Sequence, residues 1–284
     1  MDNDMVTQNQ EQTRAAWNAI AAGYDTFVTE PGGQIAEDAL VLAGLRPGMS
    51  VLDVASGSGA VSLPAARLGA DVVAVDLSPN MIERLMARAR AQGFSNLEGH
   101  VMDGHSLDLS DDTFDIAISQ FGVMLFPDLP RGLREMTRVT KPGGKVALVV
   151  YAAPTTIDFL VFFIGAMHAA VPGFTGLPDD PPPLPFQASD PEVLRQHFSN
   201  TGLADIRIER GAEVLTMQTG QNLWDWVANS NPIAVMLTAD LTGEQRSKVI
   251  QALDEMLRER AGGTGPATLT NPVHIAIGTK PVTD

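Results

Sequence analysis

Apolar runs alternate with amphipathic stretches along the chain, and the alternation predicts strands and helices in turn. Runs typical of buried strands are found at 51–55, 72–75, 97–102, 114–119 and 146–150, with two further strands predicted at 206–209 and 273–278. Helical patterns separate most of these strands. Strand–helix alternation of this kind predicts an α/β fold built on a doubly wound, mainly parallel sheet of seven strands.

Helical patterns also lie ahead of the first strand and within the second half of the chain. Residues 8–22 and 35–45 carry apolar positions at helical spacing, so residues 1–45 are predicted to form an N-terminal helical lid. Residues 46–284 are predicted to form one α/β domain with helical cap insertions at about 155–189 and 220–262.

The first insertion contains a segment, Phe159 to Met167, that is apolar on nearly every face when it is drawn as a helix. Such a helix has to be buried. The roof of a pocket for an aromatic or lipid-like molecule fits best, a homodimer interface is the second interpretation, and a membrane contact is the third. The apolar run from Ile157 to Val171 includes Asp158 and falls short of the ~20 residues that span a bilayer.

Charge and composition narrow the classes of function. The chain has 34 acidic and 19 basic residues, a formal net charge of -15, so nucleic acid is not an expected partner. The absence of cysteine excludes disulfides, thiolate catalysis and cysteine-ligated metals. The polar N-terminus lacks the apolar core of a signal peptide, and a cytoplasmic location is therefore expected.

Three motifs follow the first three predicted strands. The turn from Asp53 to Gly59 is glycine-rich, and Gly57 and Gly59 would let a ligand approach the backbone at a helix N-terminus. Asp76 ends the second strand, where a carboxylate can accept both hydroxyls of a ribose, and Asp103-Gly104 follows the third. Each motif alone also has a structural interpretation, as a tight turn, a helix cap or a turn aspartate. Together they predict one adenosine-binding crevice, because the carboxyl ends of neighbouring parallel strands meet at one edge of the sheet.

These motifs resemble those of the class I S-adenosylmethionine-dependent methyltransferases. The resemblance runs from about Trp17 to Tyr151 through VLDVASGSG, VAVDLSP, MDGHSL, FDIAIS and the KPGG turn before VALVV. It is nearest to the small-molecule enzymes of the ubiquinone and menaquinone biosynthesis type. It implies a Rossmann-like fold, S-adenosyl-L-methionine as cofactor and S-adenosyl-L-homocysteine as product.

The resemblance also implies roles for individual residues. Gly57 and Gly59 would line the methionine part of the cofactor, Asp76 would hold the ribose, and Asp103 would accept from the adenine amino group. Tyr24 would approach the methionine end from the lid. The complete set predicted to bind the cofactor is Tyr24, Asp53, Ala55, Gly57, Ser58, Gly59, Asp76, Leu77, Met81, Met102, Asp103, Gly104, Ser119, Gln120 and Phe121.

One position departs from the family's pattern. Where the family usually has glycine, this chain has Ala55. Alanine does not adopt a positive φ without strain, so either the loop is relaxed here or the methyl group is accommodated.

An NAD(P)-dependent oxidoreductase is one alternative, and a non-catalytic module that binds S-adenosylmethionine is the other. Gly57 and Gly59, with Ser62 three residues further on and Asp76 downstream, approximate the dinucleotide fingerprint. Three features oppose it: the third small position is serine, Asp53 precedes the loop, and no Tyr-x-x-x-Lys follows. We therefore favour methyl transfer.

Methyl transfer to an oxygen or carbon atom requires orientation of the acceptor and removal of a proton. His105, just after Asp103, and His168, in the apolar insertion, are the candidate bases, each with a structural role as the alternative. No two histidines have metal-ligand spacing, and no metal is expected. The predicted acceptor is a small, largely apolar or aromatic metabolite.

Overall fold

The computed structural model of the chain describes residues 2–29, 33–178, 180–230 and 232–282. The sheet that these residues form has seven strands, in the order β3-β2-β1-β4-β5-β7-β6. The strands are β1 (Ser50–Val54), β2 (Asp71–Asp76), β3 (Leu97–Val101), β4 (Phe114–Gln120), β5 (Thr140–Tyr151), β6 (Ala204–Met217) and β7 (Ala267–Thr279).

Strand direction agrees with the prediction for the first five strands. Strands β1 to β5 pair in parallel, as their apolar runs indicate. Strand β7 is antiparallel to both of its neighbours, β5 and β6, so one edge of the sheet is not parallel. The reversed strand is typical of a mixed sheet, in which an antiparallel strand closes an otherwise parallel core.

Helices cover both faces of the sheet and its carboxyl edge. The helices are α1 (Asp2–Phe27), α2 (Gly33–Leu42), α3 (Ser62–Arg67), α4 (Pro79–Ala91), α5 (Leu129–Val139), α6 (Asp158–Ala170), α7 (Pro191–Asn200), α8 (Gly220–Ser230), α9 (Pro232–Ala239) and α10 (Gly243–Ala261). Short 3-10 turns occupy 123–125, 154–156 and 184–186. Among the described residues, no helix is both long enough and apolar enough to cross a membrane.

Three predicted elements differ from the structure. Strand β5 begins at Thr140, so the KPGG segment, predicted as a turn, is part of the strand and coincides with a register shift against β4. Strands β6 and β7 have 14 and 13 residues, well beyond the predicted 206–209 and 273–278. The added lengths contain residues typical of turns, Gly211 in β6 and Asn271-Pro272 in β7, and the pairing of the two strands with each other extends them through these residues.

The N-terminal helix α1 is fixed to the start of α4. Ser78 caps α4, its hydroxyl accepting from the backbone N–H of Met81, and the same hydroxyl donates to Asn18 Oδ1 at 2.6 Å. Arg88 Nη1 lies 2.8 Å from Asp25 Oδ1, and Arg84 pairs with the other oxygen of that carboxylate at 3.5 Å. Helix α1 therefore lies over the carboxyl ends of β1 and β2.

The inserted helices form one layer. Helix α10 packs on α6 and α8, and α8 also contacts α1. Arg260 on α10 donates to both carboxylate oxygens of Asp158 at 2.7 and 3.1 Å, and Asp158 also accepts from the backbone N–H of Thr270. This layer stands over the antiparallel edge of the sheet.

Candidate active site

A cavity of about 340 Å³ opens at the carboxyl ends of the parallel strands. Most of the residues predicted to bind a cofactor line it, and so does His105. The predicted cofactor residues in its wall are Tyr24, Ala55, Gly57, Asp76, Leu77, Met81, Met102, Asp103, Gly104, Gln120 and Phe121. The structure thus brings the loops after β1, β2, β3 and β4 to one cavity.

The loop after β1 adopts left-handed backbone conformations. Gly57 has φ +53° and Gly59 has φ +107°, which glycine accommodates without a steric cost. Ala55 has φ +57°, a conformation that costs an L residue roughly 1–2 kcal/mol. Its methyl group faces Gly122, where an added Cβ would come within 2.5 Å of Ala55 Cβ. The alanine is therefore accommodated in a strained loop, because glycine stands opposite.

Asp76 holds this loop through hydrogen bonds with two backbone amides. Its Oδ2 accepts from the backbone N–H of Gly57 and its Oδ1 from that of Ser78, both at 2.8 Å. Burial raises the pKa of Asp76, although these two amides oppose the rise. Each carboxylate oxygen keeps a lone pair for a further donor. The arrangement suits a ligand with two adjacent hydroxyl groups.

Asp103 lies in the wall of the same cavity. Its Oδ1 accepts from the backbone N–H of His105 at 2.9 Å and lies 2.8 Å from His105 Nδ1, while Oδ2 accepts from Gln10 Nε2 at 2.8 Å. Burial acts to raise the pKa of Asp103, but the hydrogen bonds from His105 and the positive charge of Arg131 outweigh it, and the pKa lies below its usual value. Asp103 is therefore an ionised acceptor at neutral pH.

Four predicted residues lie outside this cavity wall. Asp53 is buried and accepts from Ser62 Oγ at 2.5 Å, and burial raises its pKa to about 7. Buried Ser58 lies 2.5 Å from the hydroxyl of Thr29, and Ser119 Oγ accepts from the backbone N–H of Val123. At Gly59 an added Cβ would meet Leu85 at 2.4 Å. These residues hold the loops in place from beneath rather than facing the cavity.

His168 does not reach the cavity either. It is exposed on α6, and its ring packs edge-on against Phe174 with centroids 5.0 Å apart. At 100° per residue, position 168 points away from Phe159, which faces inward from the same helix. Of the two candidate bases, only His105 lies at the cavity.

The structure adds wall residues that the strand-end motifs did not indicate. Gln10, Thr13 and Trp17 reach the cavity from α1, and the segment from Leu125 to Arg131 forms the rim beyond Gly122. Of the α1 residues in the wall, Tyr24 was predicted from the family resemblance, and Trp17 marks the position where that resemblance begins. The segment from Leu125 to Arg131 contains no recognisable sequence motif. It becomes part of the site because β4, which precedes it, pairs with β1.

A second cavity of about 100 Å³ adjoins the first. The two share Trp17, Tyr24, Gln120, Phe121 and Leu125. Phe159, Leu160 and Phe163 of α6 line the second cavity, as do Trp226 and Val227 of α8, whereas Met236 is 75% exposed. The apolar insertion therefore forms part of the wall of a chamber next to the strand-end site.

Aromatic side chains and one carboxyl group define the second cavity. Phe121, held at φ +56°, stacks on Tyr151 with ring centroids 4.3 Å apart and an interplanar angle of 12°. Phe159 packs against both Tyr151 and Trp226. Glu213 of β6 is the carboxyl group in this wall. Within the described part of the chain, no three His, Asp or Glu side chains are arranged to hold a metal ion.

Comparison with protein families matches residues 52–148 to the methyltransferase domain. An uncharacterized protein of Mycobacterium tuberculosis strain H37Rv is 32% identical over 219 residues, which is 76% of this chain and 76% of the relative. A demethylmenaquinone methyltransferase of Renibacterium salmoninarum is 31% identical over 170 residues, covering 57% of this chain and 70% of that enzyme.

Comparison with solved structures agrees on the fold. A phosphoethanolamine N-methyltransferase of Haemonchus contortus, solved in complex with S-adenosyl-L-methionine, aligns with a TM-score of 0.54 at 18% identity. The alignment covers 94% of this chain and 56% of that protein. At this identity the likeness concerns the fold alone.

Proposed function

This chain belongs to the class I S-adenosylmethionine-dependent small-molecule methyltransferases, and we propose that it transfers a methyl group to an oxygen or carbon atom of a small, largely apolar or aromatic metabolite. The observation that carries the proposal is the pair of adjoining cavities, one edged by carboxylates and glycine loops and the other apolar. They share a wall, so two ligands would meet where the walls meet.

The residues of the first cavity fit S-adenosyl-L-methionine. Gly57 offers a backbone surface that a side chain would obstruct, and Asp76 offers two oxygens to the ribose hydroxyls. Asp103 would accept from the adenine amino group, with Met81, Met102 and Leu77 along the ring. When bound, the cofactor supplies a methyl group that its sulfonium already activates.

The protein itself would orient the acceptor and exclude water from the reaction. Tyr24 and Gln120 lie in the wall that the cavities share, so they would orient the acceptor toward the methyl group. Helices α1, α6 and α9 cover the two chambers and would exclude water. Of the two histidines predicted as bases, His105 lies in the first cavity, hydrogen-bonded to Asp103.

Charge favours a sulfonium ligand over a dinucleotide. Asp103, which is ionised at neutral pH, lines the first cavity. Its negative charge suits a cationic ligand and opposes a pyrophosphate, whereas Asp76 would serve the ribose of either ligand. No finding here supports the nicotinamide alternative.

Two measurements test the proposal. Calorimetric titration should give tight binding of S-adenosyl-L-methionine and weak or no binding of NAD. Transfer of a labelled methyl group to a panel of phenols, hydroquinones and amines should give a methylated oxygen or carbon product. Tighter binding of NAD than of S-adenosyl-L-methionine, or labelling of the amines alone, would refute it.

A further inference from the structure

Glu213 is a buried carboxyl group that accepts hydrogen bonds through only one of its two oxygens. Its side chain is 3% exposed. Tyr151 Oη donates to Oε2 at 3.1 Å, and Asn271 Nδ2 donates to the same oxygen at 3.1 Å. Oε1 receives no hydrogen bond from the described residues. One oxygen of the carboxyl group is thus fixed and the other is unpaired at the cavity that Glu213 lines.

The unpaired oxygen of Glu213 lies in a mainly apolar wall. The surrounding wall consists largely of apolar and aromatic side chains, among them Phe159, Phe163 and Trp226. A carboxylate oxygen that receives no hydrogen bond from the protein can accept one from a molecule bound in the cavity. Asn271 is itself held in place, because its Oδ1 accepts from the backbone N–H of Phe159. The cluster is rigid and lacks a donor on one side.

The cluster lies close to the first cavity. Tyr151 stacks on Phe121, which lines both chambers. Burial raises the pKa of Tyr24, and the negative charges of Asp76, Glu213 and Asp53 raise it further. Tyr24 thus lies within electrostatic reach of both Asp76 and Glu213. A ligand at Glu213 and a ligand at Asp76 would therefore occupy adjoining cavities that share the wall formed by Tyr24 and Phe121.

Glu213 is the group in this chamber suited to take a proton. Among the described residues that line the chamber, the titratable ones are Glu213, Tyr24 and Tyr151. Burial raises the pKa of both tyrosines, so they remain protonated. Burial also raises the pKa of Glu213, to about 7, while the hydrogen bonds from Tyr151 and Asn271 limit the rise. A base with a pKa near the working pH is the most effective.

We propose that the second cavity binds a one-ring phenol and that Glu213 Oε1 accepts its hydroxyl proton during methyl transfer. The cavity, of about 100 Å³, is smaller than the ~150 Å³ apolar cavity that holds benzene, so a single ring would extend into the opening that it shares with the first cavity. The aromatic wall suits a flat ring, and the hydroxyl supplies the donor that Oε1 lacks. This inference rests on the function proposed above.

The proton and electron pairs balance without a further reactant. The O–H bond of the phenol breaks and its proton passes to Oε1. A lone pair of the phenol oxygen forms the new O–CH₃ bond, and the electron pair of the broken C–S bond stays on sulfur. Glu213 then returns the proton to solvent when the product leaves.

Binding of 4-nitrophenol in the absence of cofactor tests the site. At a pH where the free probe is the yellow phenolate, the Glu213 carboxylate should select the neutral phenol, and the wild-type protein should bleach the visible band. Glu213→Gln offers an amide that can donate to the phenolate, so the bleaching should be lost. No bleaching by the wild type, or equal bleaching by the variant, would overturn the proposal.

Methyl transfer gives the second readout. Loss of a general base costs about 100-fold or more, so Glu213→Gln should lower kcat for phenols by at least that factor while its affinity for S-adenosyl-L-methionine is unchanged. Glu209→Gln is the matched control, the same change at an exposed position of β6, and should match the wild type in both assays. If Glu213→Gln does not fold, Glu213→Asp should retain bleaching at a reduced kcat.

The two proposals fail in different ways. If the wild type bleaches the probe but methylates no acceptor, the function proposed above is wrong and the hydroxyl site stands. If the wild type methylates phenols and Glu213→Gln does so equally well, the function stands and the role of Glu213 is wrong.

Discussion

The ring of Tyr24 lies directly against Gly57, so closely that a Cβ added to the glycine would come within 3.3 Å of Tyr24 Cε1. Tyr24 belongs to the N-terminal helix and Gly57 to the loop after the first strand. Their contact places the helix over the glycine loop and puts one aromatic ring in the wall of both cavities. The ring of Tyr24 can lie this close to the loop because Gly57 has no side chain.

The substitution Gly57→Ala should therefore affect binding as well as stability. It adds a Cβ against Tyr24 and forces an L residue into φ +53°. We expect the affinity for S-adenosyl-L-methionine to fall at least tenfold, about 1.4 kcal/mol, in a calorimetric titration.

Gly93→Ala is the control for backbone strain. Gly93 has φ +75° and nothing within 4 Å of an added Cβ, so this variant should lose stability and retain affinity. Equal affinities of Gly57→Ala and the wild type would argue against a ligand at this loop.

Asp76→Ala should weaken cofactor binding by at least tenfold. The substitution removes the carboxylate that bridges the amides of Gly57 and Ser78, and with it the acceptor proposed for the ribose. Asp71→Ala, at the exposed start of the same strand, provides the comparison and should bind normally. Unchanged affinity in Asp76→Ala would refute the ribose assignment.

His105→Ala distinguishes the two candidate bases. Loss of the imidazole removes one hydrogen bond to Asp103, so cofactor affinity should fall several-fold. With Glu213 as base, kcat at saturating cofactor should stay within about threefold of the wild type. His100→Ala, an exposed histidine of β3, is the control. A fall in kcat of about 100-fold in His105→Ala would instead make His105 the base.

The contribution of Glu213 to the stability of the protein should fall as pH rises from about 4.5 to about 7. Burial raises the pKa of Glu213 from 4.5 to about 7, so in this range the folded state keeps a proton that the unfolded state has lost. The penalty for ionising Glu213 is about 3 kcal/mol at pH 7 and above. Tyr24 and Tyr151 face the same group and do not titrate in this range, because burial raises the pKa of both.

Glu213→Gln should remove this part of the pH dependence. Its free energy of unfolding, measured in urea at a series of pH values, should vary by about 3 kcal/mol less than that of the wild type between pH 4.5 and 7. Asp53, whose pKa burial also raises to about 7, contributes the same slope to both proteins. Parallel curves for the two proteins would show that Glu213 is ionised at little cost.

Local pattern was sufficient to predict the strand-end site. The strands before Asp76 and Asp103 are short apolar runs, and the chain topology of a parallel sheet requires their carboxyl ends to meet. Ala55 shows the limit of that reasoning. Its positive φ could not be decided from the sequence, because the space for its methyl group is provided by Gly122, which lies far along the chain.

The side of helix α6 that faces the cavity could be determined only from the structure. The apolar segment of α6 predicted burial on nearly every side, and His168 was predicted to face a pocket. The cavity faces Phe159 and Phe163 instead, and His168 is exposed beside Phe174. A helix that is apolar all round gives no sign in its sequence of which side meets the ligand.

The sequence by itself determined the α/β sheet, the glycine loop and the carboxylates at its strand ends, because short-range periodicity and parallel topology suffice to place them. Only the tertiary structure decided that Glu213 faces a chamber beside them. Strand β6 pairs with β7 so that Glu213 stands opposite Asn271, and three helices separate the two strands in sequence. Pairing over such a distance depends on how the helices between the strands pack, and a local pattern does not contain that information.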